Sequence, residues 1–397
     1  MQVARSQAPP AIGHLPSVAP RALSLTFGAS DMAPAWDDRR PMEAVAFALG
    51  LFLLALTFWD LFETIVVPRP TPGWFRIGRY LLRGSWRGLR AIRNRWPDRS
   101  YDRVLGLFAP AMTVGLLGAW LVALILGYGL VLFALRDQLQ PVPPDLGSAL
   151  YFAATSVLTL GFGDFVAVGP VARVIVATSA IAGLGVVALV VTFLFSLYGS
   201  YQRREVQVVA LEAAAGGPPS AVALLETYAQ LHLVGRLPDL FNEWEHWAVE
   251  VLDSHVAYPL LGFFRSSHDN LSWISALGTM LDAASLVLTT ICEVPRGEAK
   301  LFKRVGAHLV EDIYNLGLHA GKPTVLDRSE FDAACARLEE AGYTLEARDI
   351  AWRAFEGARA TYAMRLEAMA VYWATPAAQW LGDPVALRLP VHPQDDE

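Results

Sequence analysis

The residues of this 397-residue chain best placed to do chemistry are Thr159-Leu160-Gly161-Phe162-Gly163-Asp164, and the chemistry is coordination by backbone carbonyls. Successive carbonyl oxygens can replace a cation's water shell only where the backbone alternates its handedness, and Gly161 and Gly163 reach φ > 0 at little steric cost. Thr159 adds a hydroxyl at one end of such a ladder and Asp164 a carboxylate at the other. Leu160 and Phe162 must turn away and wedge the strand from behind. Taken alone, a GxG pair also reads as an ordinary glycine-rich turn between two packed helices.

The neighbouring elements decide between these readings. An amphipathic helical run, Leu146–Leu158, leads into the hexapeptide, Asp145 or Ser148 can cap it, and Gln140-Pro-Val-Pro-Pro-Asp145 makes a short stiff turn before it. Apolar runs at residues 104–135 and 171–198 flank the stretch and a third lies at 44–67; at about 1.5 Å per residue each can cross a hydrocarbon core of about 30 Å. In that setting Ser148–Gly169 resembles the pore loop of potassium channels. The resemblance implies an all-α membrane protein: a tetrameric K+ channel pore domain of outer helix, pore helix, filter and inner helix over residues 104–205, with an extra N-terminal span and a cytoplasmic α-helical domain. Thr159, Leu160, Gly161, Phe162, Gly163 and Asp164 then form the K+ selectivity filter. K+ is the permeant ion, with no further metal, no cofactor and no catalysis, and one loop per chain requires a homotetramer. The family's usual Thr-Thr-Val-Gly-Tyr-Gly-Asp has Leu158, Leu160 and Phe162 here in place of the first Thr, Val and Tyr. Two hydroxyls are lost, so packing more than hydrogen bonding is expected to hold this filter.

A hydrophobic content of 54%, 18% charged residues and a mean hydropathy of +0.36 fit a membrane part joined to a water-exposed one. Charge is segregated. From Arg69 to Arg103 ten arginines stand against two aspartates, whereas residues 206–397 hold 14 basic and 26 acidic side chains. That acidic half argues against nucleic acid as a partner. Cys292 and Cys335 lie far apart and read as thiols, not as a disulfide framework. Residues 1–41 are expected to be a disordered arm, or absent if translation starts at Met32 or Met42.

The first transmembrane helix is expected over residues 42–67, stopped by Pro68. Near its end, Asp60 and Glu63 share a helix face, as a polar latch to another element or as a helix end already among lipid headgroups. Arg76, Arg79, Arg83, Arg87, Arg90 and Arg93 follow at helical spacing among aromatic and apolar residues. Within residues 68–103 this predicts a basic amphipathic helix lying in the interface against anionic lipid, or a charged loop that only sets topology. Such a concentration of arginine belongs in the cytoplasm. The N-terminus is therefore expected outside and the C-terminus inside, in a multi-pass protein of the bacterial inner (plasma) membrane.

In the last span Gly183 and Gly185 read as an inner-helix hinge or as close packing, with the two readings equally open. Phe193, Leu194 and Leu197 are expected to form the inner gate, a dewetting constriction. Residues 206–397 read as helices punctuated by prolines, without a GxGxxG or HExxH motif. Glu243 with His246, His308 with Glu311, and His268-Asp269 are weak metal-binding patterns more easily read as caps and buried hydrogen bonds. Trp273–Ile291 reads as a core helix, with a fourth span as its rival. Asp60-Leu-Phe-Glu-Thr-Ile-Val-Val-Pro-Arg, Arg203-Arg-Glu-Val, Ser254-His255, Tyr258-Pro259 and Phe264–Trp273 resemble a bacterial branch of pore-loop channels. A potassium-selective channel with a helical domain for gating or assembly is the reading these features share. A weakly selective cation channel and a non-conducting sensor or scaffold are its alternatives. Truncation after Arg204 is expected to leave a pore with altered gating or assembly.

Overall fold

The computed structural model describes residues 39–67, 77–95, 100–266, 268, 271–315, 326–375 and 381. The expected disorder of the N-terminal arm falls almost wholly outside the described residues. Residues 1–42 form one unit, described only where its helix begins, and residues 43–397 form the other.

Helix α1 (Arg39–Leu61) continues as a π-helical turn, Phe62–Val66; α2 (Ile77–Arg95), α3 (Ser100–Ala134), α4 (Leu146–Val157) and α5 (Pro170–Ala215) follow. Pro41–Ile65, Val104–Ala134 and Pro170–Ala215 are long and apolar enough to cross a membrane. Two of them exceed what crossing requires. At about 1.5 Å per residue α5 alone is about 69 Å long, more than twice the hydrocarbon thickness.

Small residues let the spans close up. A Cβ at Gly127 of α3 would stand 2.8 Å from Leu54 of α1. The expected latch is present on α1: Asp60 is buried and accepts from Trp120 Nε1 at 2.8 Å. The other reading, a helix end among headgroups, does not hold: Asp60 and Glu63 are both buried, and α3 supplies Asp60 with a donor in place of water or headgroup. Helix α4 starts at Asp145, whose carboxylate accepts from the Ser148 amide at 2.8 Å. A two-residue antiparallel ribbon, β1 (Leu139–Gln140) with β2 (Val166–Ala167), closes the loop. Gln138 completes the closure: its carbonyl accepts from Val168 and its side chain from the Ala172 amide of α5.

The C-terminal half is a bundle of α6 (Ala221–Gln230), α7 (Leu237–Ala257), a 3-10 turn Pro259–Phe263, α8 (Trp273–Thr289), α9 (Gly297–Asn315), α10 (Arg328–Glu340), α11 (Arg348–Ala360) and α12 (Ala363–Trp373). Every residue from Trp273 to Val287 of α8 is buried, so this apolar helix is the centre of the bundle and not a fourth span. Its Asp282, too costly to bury alone, pairs with Arg359 at 3.3 Å and accepts from Tyr362. The domain limit drawn at residue 205/206 falls inside α5, whose Val208, Leu211 and Ala215 enter the bundle core. That same core takes in Trp86, Leu105, Phe108, Phe193 and Leu197 from α2, α3 and α5.

Candidate functional site

The site is the loop between α4 and α5. Thr159, Gly161 and Gly163 have φ of 55°, 60° and 81°, and neither Leu160 nor Phe162 has positive φ. The backbone therefore alternates its handedness residue by residue through the hexapeptide. Two of the three left-handed positions are glycines; the third is a β-branched threonine, uncommon in that region. Its conformation is held from α4: the amides of Thr159, Leu160 and Gly161 donate to the carbonyls of Ser156, Thr155 and Thr155, at 3.1, 2.7 and 3.3 Å.

Side-chain support comes from a residue that sequence reasoning passed over. Tyr151 of α4 stacks on Phe162, with ring centroids 6.5 Å apart and planes at 9°. Tyr151 lies eight residues before Thr159 on the face turned to the loop, which only the return path of the chain reveals. Leu158 through Asp164 are all exposed, so one chain by itself leaves the strand bare on its flank.

On α5 the two glycines differ. A Cβ at Gly183 would lie 1.8 Å from the carbonyl oxygen of Val157, the last residue of α4, whereas at Gly185 it would meet nothing within 4 Å. The helix runs unbroken through both. Close packing accounts for Gly183, and it seats the end of the pore helix directly beneath the loop. The expected constriction is divided. Phe193 and Leu197 are buried within their own chain, Phe193 with its ring 5.5 Å from that of Tyr258, and Leu194 is half-buried. These two side chains face the helical bundle because α5 extends into it, so they do not line an axis. The large side chain left open on this stretch is Phe195, 78% exposed.

The basic helix forms as α2, with Arg76 outside the described residues and Arg79 and Arg93 placed by backbone alone. One side of it packs on protein. Gly78 lies against Leu116, Ser85 against Met112 and Trp86 against Phe108, so α2 descends along the first turns of α3 in the opposite direction. Trp86 is buried and donates to the Tyr372 carbonyl at 3.1 Å. Trp86 on that side serves protein packing, whereas Tyr80, Leu81 and Ile92 are exposed. Arg83 and Arg87 remain exposed, and Arg90 is half-buried over the Tyr372 ring at 5.7 Å.

Arg204, read in the sequence only as part of Arg203-Arg-Glu-Val, is a buried clamp near the far end of α5. Its guanidinium donates to the Leu261 and Phe264 carbonyls at 3.0 and 2.9 Å and to the Glu205 carboxylate at 2.8 Å. It also donates to His255 Nε2 at 3.2 Å, while its own carbonyl accepts from Trp247 at 3.0 Å. His255 Nδ1 lies 2.8 Å from the Val251 carbonyl, which fixes that nitrogen as the protonated one and leaves Nε2 free to accept. Burial and the Arg204 charge lower the imidazole from its ordinary 6.5 to about 3.

The weak metal patterns stay apart. His246 bonds its own helix at Asn242, His308 faces Asp312 at 3.5 Å, Asp269 lies outside the described residues, and among the described residues no three metal-ligating side chains gather.

Residues 110–199 match a family model described as "Ion channel", of the two-transmembrane potassium-channel-like pore type. No curated protein and no solved structure matches the chain.

Proposed function

We propose, from the match of residues 110–199 to that ion-channel model, that four copies of this chain close a K+-selective filter from Thr159, Leu160, Gly161, Phe162, Gly163 and Asp164. The alternation of φ at Thr159, Gly161 and Gly163 carries the reading, since a strand of alternating handedness turns successive carbonyls to one side, as replacing a water shell demands. An apolar strand with Leu160 56% and Phe162 66% exposed gains cover when four chains meet around an axis. K+ passes down its gradient with neither cofactor nor covalent chemistry. The arginine content of residues 76–93 favours a cytoplasmic side for that helix and the bundle at a bacterial inner membrane, with the N-terminus outside, and supports anionic lipid as the partner of Arg76, Arg79, Arg83, Arg87, Arg90 and Arg93.

The deciding experiment is reconstitution of the full chain in liposomes, with reversal potentials in mixed K+ and Na+. A potential that follows K+ is expected. One indifferent to exchanging the two ions supports a weakly selective channel, the reading that the hydroxyls missing at Leu158 and Phe162 favour. Reproducible absence of flux supports a non-conducting scaffold.

A further inference from the structure

Helix α5 begins without a cap of its own. Gly169 stands at its N-cap and has no side chain, and Pro170 takes the first helical position. The N–H groups of a first turn have no partner inside the helix, and a cap side chain ordinarily accepts from the second or third of them. Here the acceptor comes from another part of the fold. Gln138, at the end of the 3-10 turn Arg136–Gln138, reaches the third position: its side-chain oxygen accepts from the Ala172 amide at 3.1 Å. Ala172 is fully buried, so water does not replace that acceptor.

The same residue holds the chain just before the helix. Its carbonyl accepts from the amides of Val168 and Gly169 at 2.9 and 3.2 Å, and a Cβ at Gly169 would fall 2.3 Å from the Gln138 side-chain oxygen. Gly169 has φ of −80° and ψ of 151°, an ordinary extended conformation, so glycine is required there by the close approach of Gln138. Gln138 is fixed in turn. Its amide donates to the Leu135 carbonyl at 2.8 Å, and its neighbour Leu139 is buried.

These contacts lie just past one end of the hexapeptide. At the other end the amides of Thr159, Leu160 and Gly161 bond to α4. Among the described residues the next backbone bonds of the strand are those of the ribbon, which pairs Gln140 with Val166 and Leu139 with Ala167, followed by those to Gln138. The carbonyls of residues 161–164 are therefore strung between two anchors, α4 and residues 138–140. Whether a filter discriminates by the size of its cage or by the number of its ligands, both depend on how those carbonyls are spaced, and a working site tolerates displacements of only about 0.5 Å.

We propose that Gln138 is a positioning residue for selectivity: its carboxamide caps α5 and packs on Gly169, which fixes the far end of the strand and with it the spacing of the carbonyls of residues 161–164. Its loss relaxes discrimination between K+ and the smaller Na+ while the protein still folds and assembles. This rests on the reading of the loop as a K+ filter and adds to it a residue outside the hexapeptide that sets the selectivity.

Two substitutions of the full chain test it. Q138L removes the acceptor at nearly constant shape, and Q138E keeps an acceptor for Ala172, with a negative charge that the start of a helix favours. In liposomes, reversal potentials in mixed K+ and Na+ are expected to give a K+ to Na+ permeability ratio about fivefold lower in Q138L, the worth of one ordinary hydrogen bond, and close to wild type in Q138E. Both variants are expected to elute as the wild-type oligomer in mild detergent. A ratio unchanged in Q138L, a ratio lowered as much in Q138E, or loss of the oligomer in Q138L overturns the proposal. Backbone hydrogen exchange needs no conduction: Q138L is expected to speed exchange about fivefold at Ala172 and at residues 162–164, and Q138E to leave both slow. Faster exchange at Ala172 alone also overturns the proposal, since the cap then does not reach the strand. A wild-type chain that carries no K+, or carries Na+ equally, fails the channel reading, and exchange at residues 162–164 then decides whether Gln138 positions the strand.

Discussion

Arg204 of α5 donates through Nη1 to His255 Nε2 of α7 at 3.2 Å, with both side chains buried. The bond requires a neutral imidazole, because a protonated ring has no lone pair to offer a guanidinium. This pair and the two carbonyls of the Pro259–Phe264 segment join α5 to the helical bundle alongside the apolar core they share.

The pH dependence follows from the lowered value at His255, about 3 against an ordinary 6.5. A depressed histidine contributes stability that is complete above pH 6.5 and is lost as pH falls from 6.5 toward 3, by about 1.4 kcal/mol per pH unit. H255Q keeps an acceptor for Arg204 and does not titrate. Comparing unfolding midpoints of wild type and H255Q between pH 7 and 5 should give a difference that grows with acid. A flat difference means that His255 is not held neutral in the fold.

In the loop, a Cβ at Gly161 or Gly163 meets no atom of its own chain within 4 Å. The cost of alanine there is conformational: about 1–2 kcal/mol per residue for a left-handed position, repeated in each copy. G161A and G163A should give assembled protein with K+ flux lost. Normal flux with unchanged selectivity in either variant removes this strand from the pore.

These two sites show what a sequence exposes and what it conceals. The alternating backbone of the loop was legible because its requirements are local: glycines at alternate positions, a helix before them, apolar runs on both sides. Gly183 was undecidable because its reason is the carbonyl of Val157, twenty-six residues earlier in the chain, and only the packed pair tells a seat from a hinge. Arg204 and Trp86 could not be read from the sequence for a common reason. Arginine after a span marks topology and tryptophan beside arginine marks an interface in most membrane chains, yet here both are buried, since α3 and α5 run on past the membrane into a bundle whose position no periodicity records.

The inner end of the pore separates two phenylalanines two residues apart. Phe193 is 8% exposed and belongs to the core shared with the bundle, while Phe195 is 78% exposed. F193A should cost about 3–5 kcal/mol, as for other large core truncations, read as a lowered unfolding temperature of the assembled protein. F195A should leave that temperature unchanged and raise K+ flux, because the open side chain is the one able to narrow an axial path. Stability loss in F195A with none in F193A would reverse the assignment of the two faces.

Truncation after Arg204 distinguishes a joined architecture from a modular one. It removes Glu205, His255 and the carbonyls of Leu261 and Phe264 from around a buried guanidinium, and leaving such a charge unmatched costs about 3–5 kcal/mol. It also uncovers Trp86, Leu105, Phe108 and Leu197, each buried in the common core, where a large apolar side chain contributes about 1.5–3 kcal/mol. The expected product is therefore not a smaller pore with altered gating but a chain that aggregates or fails to assemble, seen in mild detergent as the loss of a monodisperse oligomer by size exclusion. Were residues 1–204 to elute as one defined oligomer and conduct K+, α5 would not depend on the bundle for its fold, and the Arg204 clamp would be a contact between separable parts.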